Sequence, residues 1–139
     1  MKITAINSDQ TLAIRHTVLW PHKAPQFCQV ADDHRAWHYA VIKDQQIISV
    51  ASLYPDGDSV RLRKFATLPE FQGQGAGSMM ITFFIEDLSN KGFKFFWFDA
   101  RATAVDFYAR FGFSIQGPCF YKSELAYYKM SKRLDSQKS

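Results

Sequence analysis

Gln72-Gly73-Gln74-Gly75-Ala76-Gly77 stands between a strand-like run, Val60 to Thr67, and a helix-like run, Ser78 to Leu88. Three glycines within five residues leave the backbone amides there without side-chain cover. The helix that follows adds orphan N–H donors and about half a positive charge at its first turn. A strand, a bare turn and a helix N-terminus together make a cradle for a phosphorylated ligand.

Upstream of the glycines, Trp37 to Ile42 and Ile47 to Tyr54 are β-rich runs joined by Lys43-Asp44-Gln45-Gln46, which predicts a hairpin. Pro55-Asp56-Gly57-Asp58 is a second turn, leading into the strand Val60 to Thr67. Val60 and Leu62 share one face of that strand, whereas Phe65 falls on the other, so the apolar phase flips near Arg63-Lys64. A one-residue bulge and a strand with two differently buried halves account for this equally well. At the start of the chain, Thr11 to Trp20 reads as a first helix stopped by Pro21, and Pro21 to Asp33 as a loop or short helix.

Downstream, Ile81, Phe84, Ile85 and Leu88 recur at helical spacing, and Asn90-Lys91-Gly92 closes the helix. Phe93 to Phe98 is almost uninterrupted apolar sequence, which predicts a central strand covered on both faces. Ala104, Phe107, Tyr108 and Phe111 form the stripe of another helix, with Gly112 as its cap. Phe113 to Tyr121 and Leu125 to Met130 read as final strands, and Ser136 to Ser139 as a frayed tail. The pattern predicts one domain over residues 1–139, of mixed α/β (α+β) class.

Composition sets limits. A hydrophobic content of 47%, with 13 Phe, 6 Tyr and 3 Trp, supports a packed core and argues against disorder. Seventeen Lys and Arg against 13 Asp and Glu leave a net charge of +4. The basic residues are scattered, apart from Arg61, Arg63, Lys64 and the group Lys129, Lys132, Arg133. A diffuse positive field favours an anionic ligand but falls short of a nucleic-acid stripe. Cys28 and Cys119 are isolated, so neither a zinc site nor a disulfide framework is expected. Met1 to Trp20 lacks a signal-peptide layout, and Ser78 to Ile85 is too short to span a bilayer. The expectation is a soluble, cytoplasmic protein with no metal, nucleic-acid or membrane partner.

Three phosphate-binding patterns can be tested on the glycines. A Walker loop needs Gly-Lys-Ser/Thr, and no Lys follows here. A dinucleotide fingerprint needs Gly-x-Gly-x-x-Gly, and Gly73-x-Gly75-x-Gly77 is one residue short. The third fits: Gln72-x-x-Gly75-x-Gly77 resembles the Gln/Arg-x-x-Gly-x-Gly/Ala signature of the GNAT superfamily of N-acetyltransferases. Asp99-Ala100-Arg101, Ala104 and then Phe107-Tyr108-Ala109-Arg110-Phe111-Gly112-Phe113 resemble that family's second block, Asn-Ala-x-x-x-Ala-x-x-Phe-Tyr followed by Gly-Phe. The resemblance covers roughly Trp37 to Arg133.

It implies a mostly antiparallel central sheet with a splayed strand pair, flanked by helices. It also implies acetyl-CoA as cosubstrate and an amine of a small molecule or peptide as acceptor. Backbone groups of Phe65, Ala66 and Thr67 would pair with the pantetheine arm, and amides of Gln72, Gly73, Gln74, Gly75, Ala76, Gly77 and Ser78 would hold the pyrophosphate. Tyr108 occupies the position from which many members donate to the CoA sulfur. The strand carboxylate that some relatives use as base is missing: Arg61, Arg63 and Lys64 stand there instead. Glu70, His38, Asp99, Glu124 and Tyr127 are the remaining groups to weigh, with water-relayed deprotonation the default. Arg101 and Arg110 are open to a role at a CoA phosphate, and Trp20, Phe27 and Trp37 to one at the acceptor. The resemblance leaves a homodimer open. The missing carboxylate leaves open a CoA-binding sensor or regulatory protein with the same fold and little turnover.

Overall fold

Backbone pairing, more than local propensity, decides where the elements of this chain begin and end. The computed structural model describes residues 1–19 and 35–134. Trp20, Phe27, Cys28, the segment Pro21 to Asp33 and the tail Ser136 to Ser139 lie outside the described residues. The elements are β1 (Lys2–Ile6), α1 (Leu12–Val18), β2 (Trp37–Lys43), β3 (Gln46–Asp56), β4 (Ser59–Thr67), α2 (Ala76–Asn90), β5 (Phe95–Arg101), α3 (Val105–Ala109), β6 (Ser114–Ile115), β7 (Phe120–Lys122) and β8 (Leu125–Arg133). They form an eight-stranded sheet of order β1-β2-β3-β4-β5-β8-β6, with β7 also on β8. The sheet is mostly antiparallel, as expected. Its parallel register aligns Ser59, Val60 and Arg61 of β4 with Phe95, Phe96 and Trp97 of β5.

The residues group into two compact units. In the first, Met1–Tyr54 with Leu62–Ile81, the core gathers Ile14 of α1, Ala40 of β2, Val50 of β3 and Ala66 of β4. Ala40 and Val50 are register partners across β2 and β3, so their side chains share a face. Arg15 is fully buried beside them, which is tolerable only with good hydrogen bonds. Its Nη2 donates to Ser52 Oγ at 2.8 Å, and Ser52 Oγ lies 2.7 Å from His38 Nδ1.

Strand β1 was not expected from the sequence. Its five residues are too few for a periodicity, and its extended state comes from pairing with β2, Lys2 to Ile42 through Ile6 to His38. Asn7 then caps a 3-10 turn over Ser8–Thr11: Gln10 N–H donates to Asn7 Oδ1 (3.0 Å), and Asn7 N–H donates to Gln10 Oε1 (2.9 Å). The α-helix therefore starts at Leu12, not Thr11.

The second unit comprises Pro55–Arg61 with Thr82–Ser139. Its core is aromatic. Phe96 packs edge-on against Phe84 (6.3 Å) and Phe113 (5.5 Å). Along β5, Phe96, Phe98 and Ala100 are buried, whereas Phe95 is 39% exposed and Trp97 and Asp99 are partly exposed. The strand is thus covered on one face, not both. An aromatic run does not distinguish the two cases, because a ring on an open face can be shielded by a cation rather than by another layer.

The strand expected over Phe113 to Tyr121 is broken. Gly117 has φ +85 and Pro118 has no N–H to give a ladder, so β6 ends at Ile115 and β7 starts at Phe120. Both pair with β8, at Ser114–Ser131 and Phe120–Tyr127. Helix α3 is shorter than its apolar stripe, five residues behind a 3-10 turn at Ala102–Ala104. Within β4, Lys64 has φ +55, a left-handed residue that breaks the pleat where the apolar phase changes. Beyond it the buried residue is Ala66, with Phe65 half-buried. Among the described residues no helix is long and apolar enough to cross a membrane, and Cys119 is an exposed free thiol.

Candidate active site

The glycine loop runs from the end of β4, through a 3-10 turn at Pro69–Phe71, into α2. Gly73 and Gly75 have φ +78 and +92, and a Cβ at either would meet nothing within 4 Å. The backbone angle, not space, requires glycine at both positions. Gly75 C=O accepts the first helical bond, from Met79 N–H at 2.9 Å. The N–H groups of Ala76, Gly77 and Ser78 precede it and have no intrahelical acceptor. Residues Gln72 to Gly75 are exposed, whereas Ala76 is buried and anchors the helix start.

Side chains brace this backbone. Gln72 Nε2 donates to Thr67 C=O (3.0 Å), and Gln74 Nε2 to Glu70 C=O (3.3 Å). Lys43, at the end of β2, donates from Nζ to Gln74 Oε1 (2.8 Å), with its ammonium 5.8 Å from the centre of the Phe71 ring. That brings a cation to the loop. The sequence holds no signal for it, because 31 residues separate the two partners.

At the end of β4, Leu68 N–H donates to Ile48 C=O at 2.8 Å. Ser49 Oγ donates to Ala66 C=O (3.0 Å) and lies 2.8 Å from Thr67 Oγ1. With Leu68 facing β3, alternation along the strand turns the backbone of Ala66 toward β3 and that of Phe65 and Thr67 away from it. Of the three residues expected to pair with a pantetheine arm, the outer two carry backbone groups aimed away from β3.

In the second unit, Tyr108 on α3 packs its ring 4.3 Å from Phe98, 5.1 Å from Phe107 and 6.3 Å from Phe113. The side chain is half-buried, and desolvation by these surroundings pushes its phenol up to about 12. Asp99 Oδ2 accepts from Arg61 Nη2 (2.9 Å) and Lys122 Nζ (3.0 Å). Both bonds converge on Oδ2 and tie Asp99 into a bridge between β4 and β7.

The other candidate bases separate as well. Glu70 is exposed on the 3-10 turn, and His38 is buried in the polar network with Ser52. Glu124 is exposed in a turn with φ +70, and Tyr127 stacks on Phe120 at 5.9 Å. Arg101 lies over Tyr127 and Arg110 over Phe107. Trp37 is half-buried in β2 opposite Leu53. Among the described residues no group of His, Cys, Asp and Glu is placed to hold a metal ion.

A sequence profile described as the acetyltransferase (GNAT) domain matches residues 10–134, reaching further upstream than the motif resemblance. The chain belongs to the GNAT superfamily. This GNAT acetyltransferase is 31% identical over 129 residues to YitI, an uncharacterized N-acetyltransferase of Bacillus subtilis (strain 168), covering 86% of this chain and 87% of that one. Its fold matches the ribosomal-protein-S18-alanine N-acetyltransferase of Escherichia coli with a TM-score of 0.80 at 16% identity, over 96% of this chain and 94% of the other. An acetyl-CoA-bound GNAT acetyltransferase of Elizabethkingia anophelis matches with a TM-score of 0.76 at 16% identity, over 96% and 97% of the two chains. The activity class is N-acetyl transfer.

Proposed function

We propose that residues 1–139 act as one cytoplasmic acetyltransferase domain that moves an acetyl group from acetyl-CoA directly to a primary amine of a small molecule or peptide. The observation that carries this reading is the glycine loop leading into α2. Left-handed Gly73 and Gly75 and the leading amides of Ala76, Gly77 and Ser78 suit a diphosphate, and the Lys43 ammonium adds charge of the right sign. The outward backbone of Phe65 and Thr67 suits the amide groups of a pantetheine arm, which would join β4 as an extra strand does.

Acetyl-CoA supplies an activated thioester: the amine bonds to its carbonyl carbon, the C–S bond breaks, and the thiol leaves with a proton. Tyr108 is the residue we assign to the sulfur. With its phenol near 12 and a thiol near 8.5, full proton transfer from Tyr108 is uphill by roughly 5 kcal/mol. Tyr108 therefore holds the sulfur by hydrogen bonding and keeps its own proton. The proton on the departing thiol comes from the attacking nitrogen. No carboxylate stands on β4, so the amine must arrive neutral or lose its proton through water.

The test is thiol release from acetyl-CoA with a panel of amines, alongside a thermal shift with acetyl-CoA, NAD and ATP. Stabilisation by acetyl-CoA alone, with turnover on at least one amine, supports the reading. Stabilisation without turnover on any amine, and with Tyr108→Phe unchanged, moves the chain to a CoA-binding sensor. No stabilisation by any CoA species refutes it.

A further inference from the structure

The open face of β5, β7 and β8 collects charge that the sequence scatters. Trp97 of β5 has the Arg61 guanidinium 4.7 Å and the Lys129 ammonium 4.6 Å from its ring centre. These cations come from β4 and β8, which flank β5 on opposite sides, so they approach the ring from both sides. Tyr127 of β8 carries Lys122 at 4.8 Å and Arg101 at 5.9 Å and stacks on Phe120. Phe95 carries Arg133 at 5.9 Å.

Among the described residues, five cations share this face with one carboxylate, Asp99, an excess of four positive charges. Each ring contact fixes a cationic head without consuming a hydrogen-bond donor, while Asp99 takes one bond from Arg61 Nη2 and one of the three ammonium protons of Lys122. Heads held in place lose less entropy on meeting an anion than free ones do.

We propose that this face docks an acidic polypeptide segment, so that a protein acceptor is recognised by its carboxylates as well as by its amine. The inference rests on the proposed activity and selects the polypeptide class within its acceptors. The chemistry favours carboxylates over nucleobases. A base needs a bare ring face to stack on, and here Trp97 carries two cations and Tyr127 carries two cations and Phe120. Carboxylates need only the cationic heads.

The experiment is fluorescence anisotropy of a labelled Glu-Ser repeat peptide at low salt, without acetyl-CoA, on the full chain. Wild type binds, and the Lys122→Gln/Lys129→Gln pair weakens binding about tenfold. A matched loss of charge elsewhere, Lys2→Gln/Lys91→Gln, changes it less than about twofold. All four lysines are exposed, and each variant's thermal unfolding checks its fold. Equal weakening in both pairs, no binding by wild type, or tighter patch-dependent binding of an oligothymidine than of the peptide overturns the proposal. The acetyl-CoA thermal shift, read separately, shows whether the activity itself is at fault: peptide docking without that shift fails the activity, and the shift without docking fails this inference.

Discussion

The glycine loop and the open face of β5, β7 and β8 both suit an anion, but they are built from different materials. In the loop the donors are backbone amides, exposed by two left-handed glycines and aimed by a helix start. On the open face the donors are long side chains propped on rings. A backbone site depends on dihedral angles and fails abruptly when they change. A side-chain site depends on the number of heads and weakens gradually as they are removed. The two regions should respond to mutation in opposite styles.

The sharpest way to break that contrast is Gly75→Val. At φ +92 a β-branched residue is strained, and the loop must rearrange to relieve it. A strain of up to ~3 kcal/mol predicts a loss of acetyl-CoA affinity of about a hundredfold, read as KM or as a dissociation constant. Tyr108→Phe comes next: kcat should fall about thirtyfold with KM for acetyl-CoA little changed, the signature of a hydrogen bond that matters only as charge develops on sulfur.

The raised pKa of Tyr108 adds two pH predictions. The phenol stays protonated up to about pH 11, so no limb of the rate profile below that pH belongs to it. The rate should instead rise as the acceptor amine loses its own proton. The fold favours the neutral phenol, so this contribution to stability is full below pH 10 and is lost as pH climbs from 10 to about 12, checked by denaturant midpoints.

How legible each region was follows from the same contrast. The loop could be read from Gly73, Gly75 and Gly77 because backbone chemistry depends on local spacing. The Phe107-Tyr108 block could be read because its residues are neighbours in sequence. The open face could not: Arg61, Trp97, Lys122 and Lys129 meet only through the registers of β4, β5, β7 and β8. Lys43 was hidden for the same reason, and β1 exists through its pairing with β2. The one-sided burial of β5 is hidden in the sequence because Phe95 and Trp97 look like core until their cationic covers are in place.

Two smaller effects sharpen the comparison. Lys43→Met should raise KM for acetyl-CoA about fivefold and leave kcat alone, since it removes one point charge from a loop whose amides remain. Asp99→Asn should cost about 1 kcal/mol of stability, because its two ion pairs are partly exposed, and should keep most of the activity. Loss of nearly all activity in Asp99→Asn with the fold intact would instead make Asp99 the missing base.

The most direct test is a thermal-shift titration of wild type and Gly75→Val with acetyl-CoA. At a hundredfold excess over its dissociation constant, a single-site ligand stabilises by about 2.7 kcal/mol, several degrees for a chain of this size. The predicted result is that rise in wild type and in Tyr108→Phe, and its loss in Gly75→Val. An equal rise in Gly75→Val, or a rise with NAD or ATP in place of acetyl-CoA, would contradict the assignment of the loop.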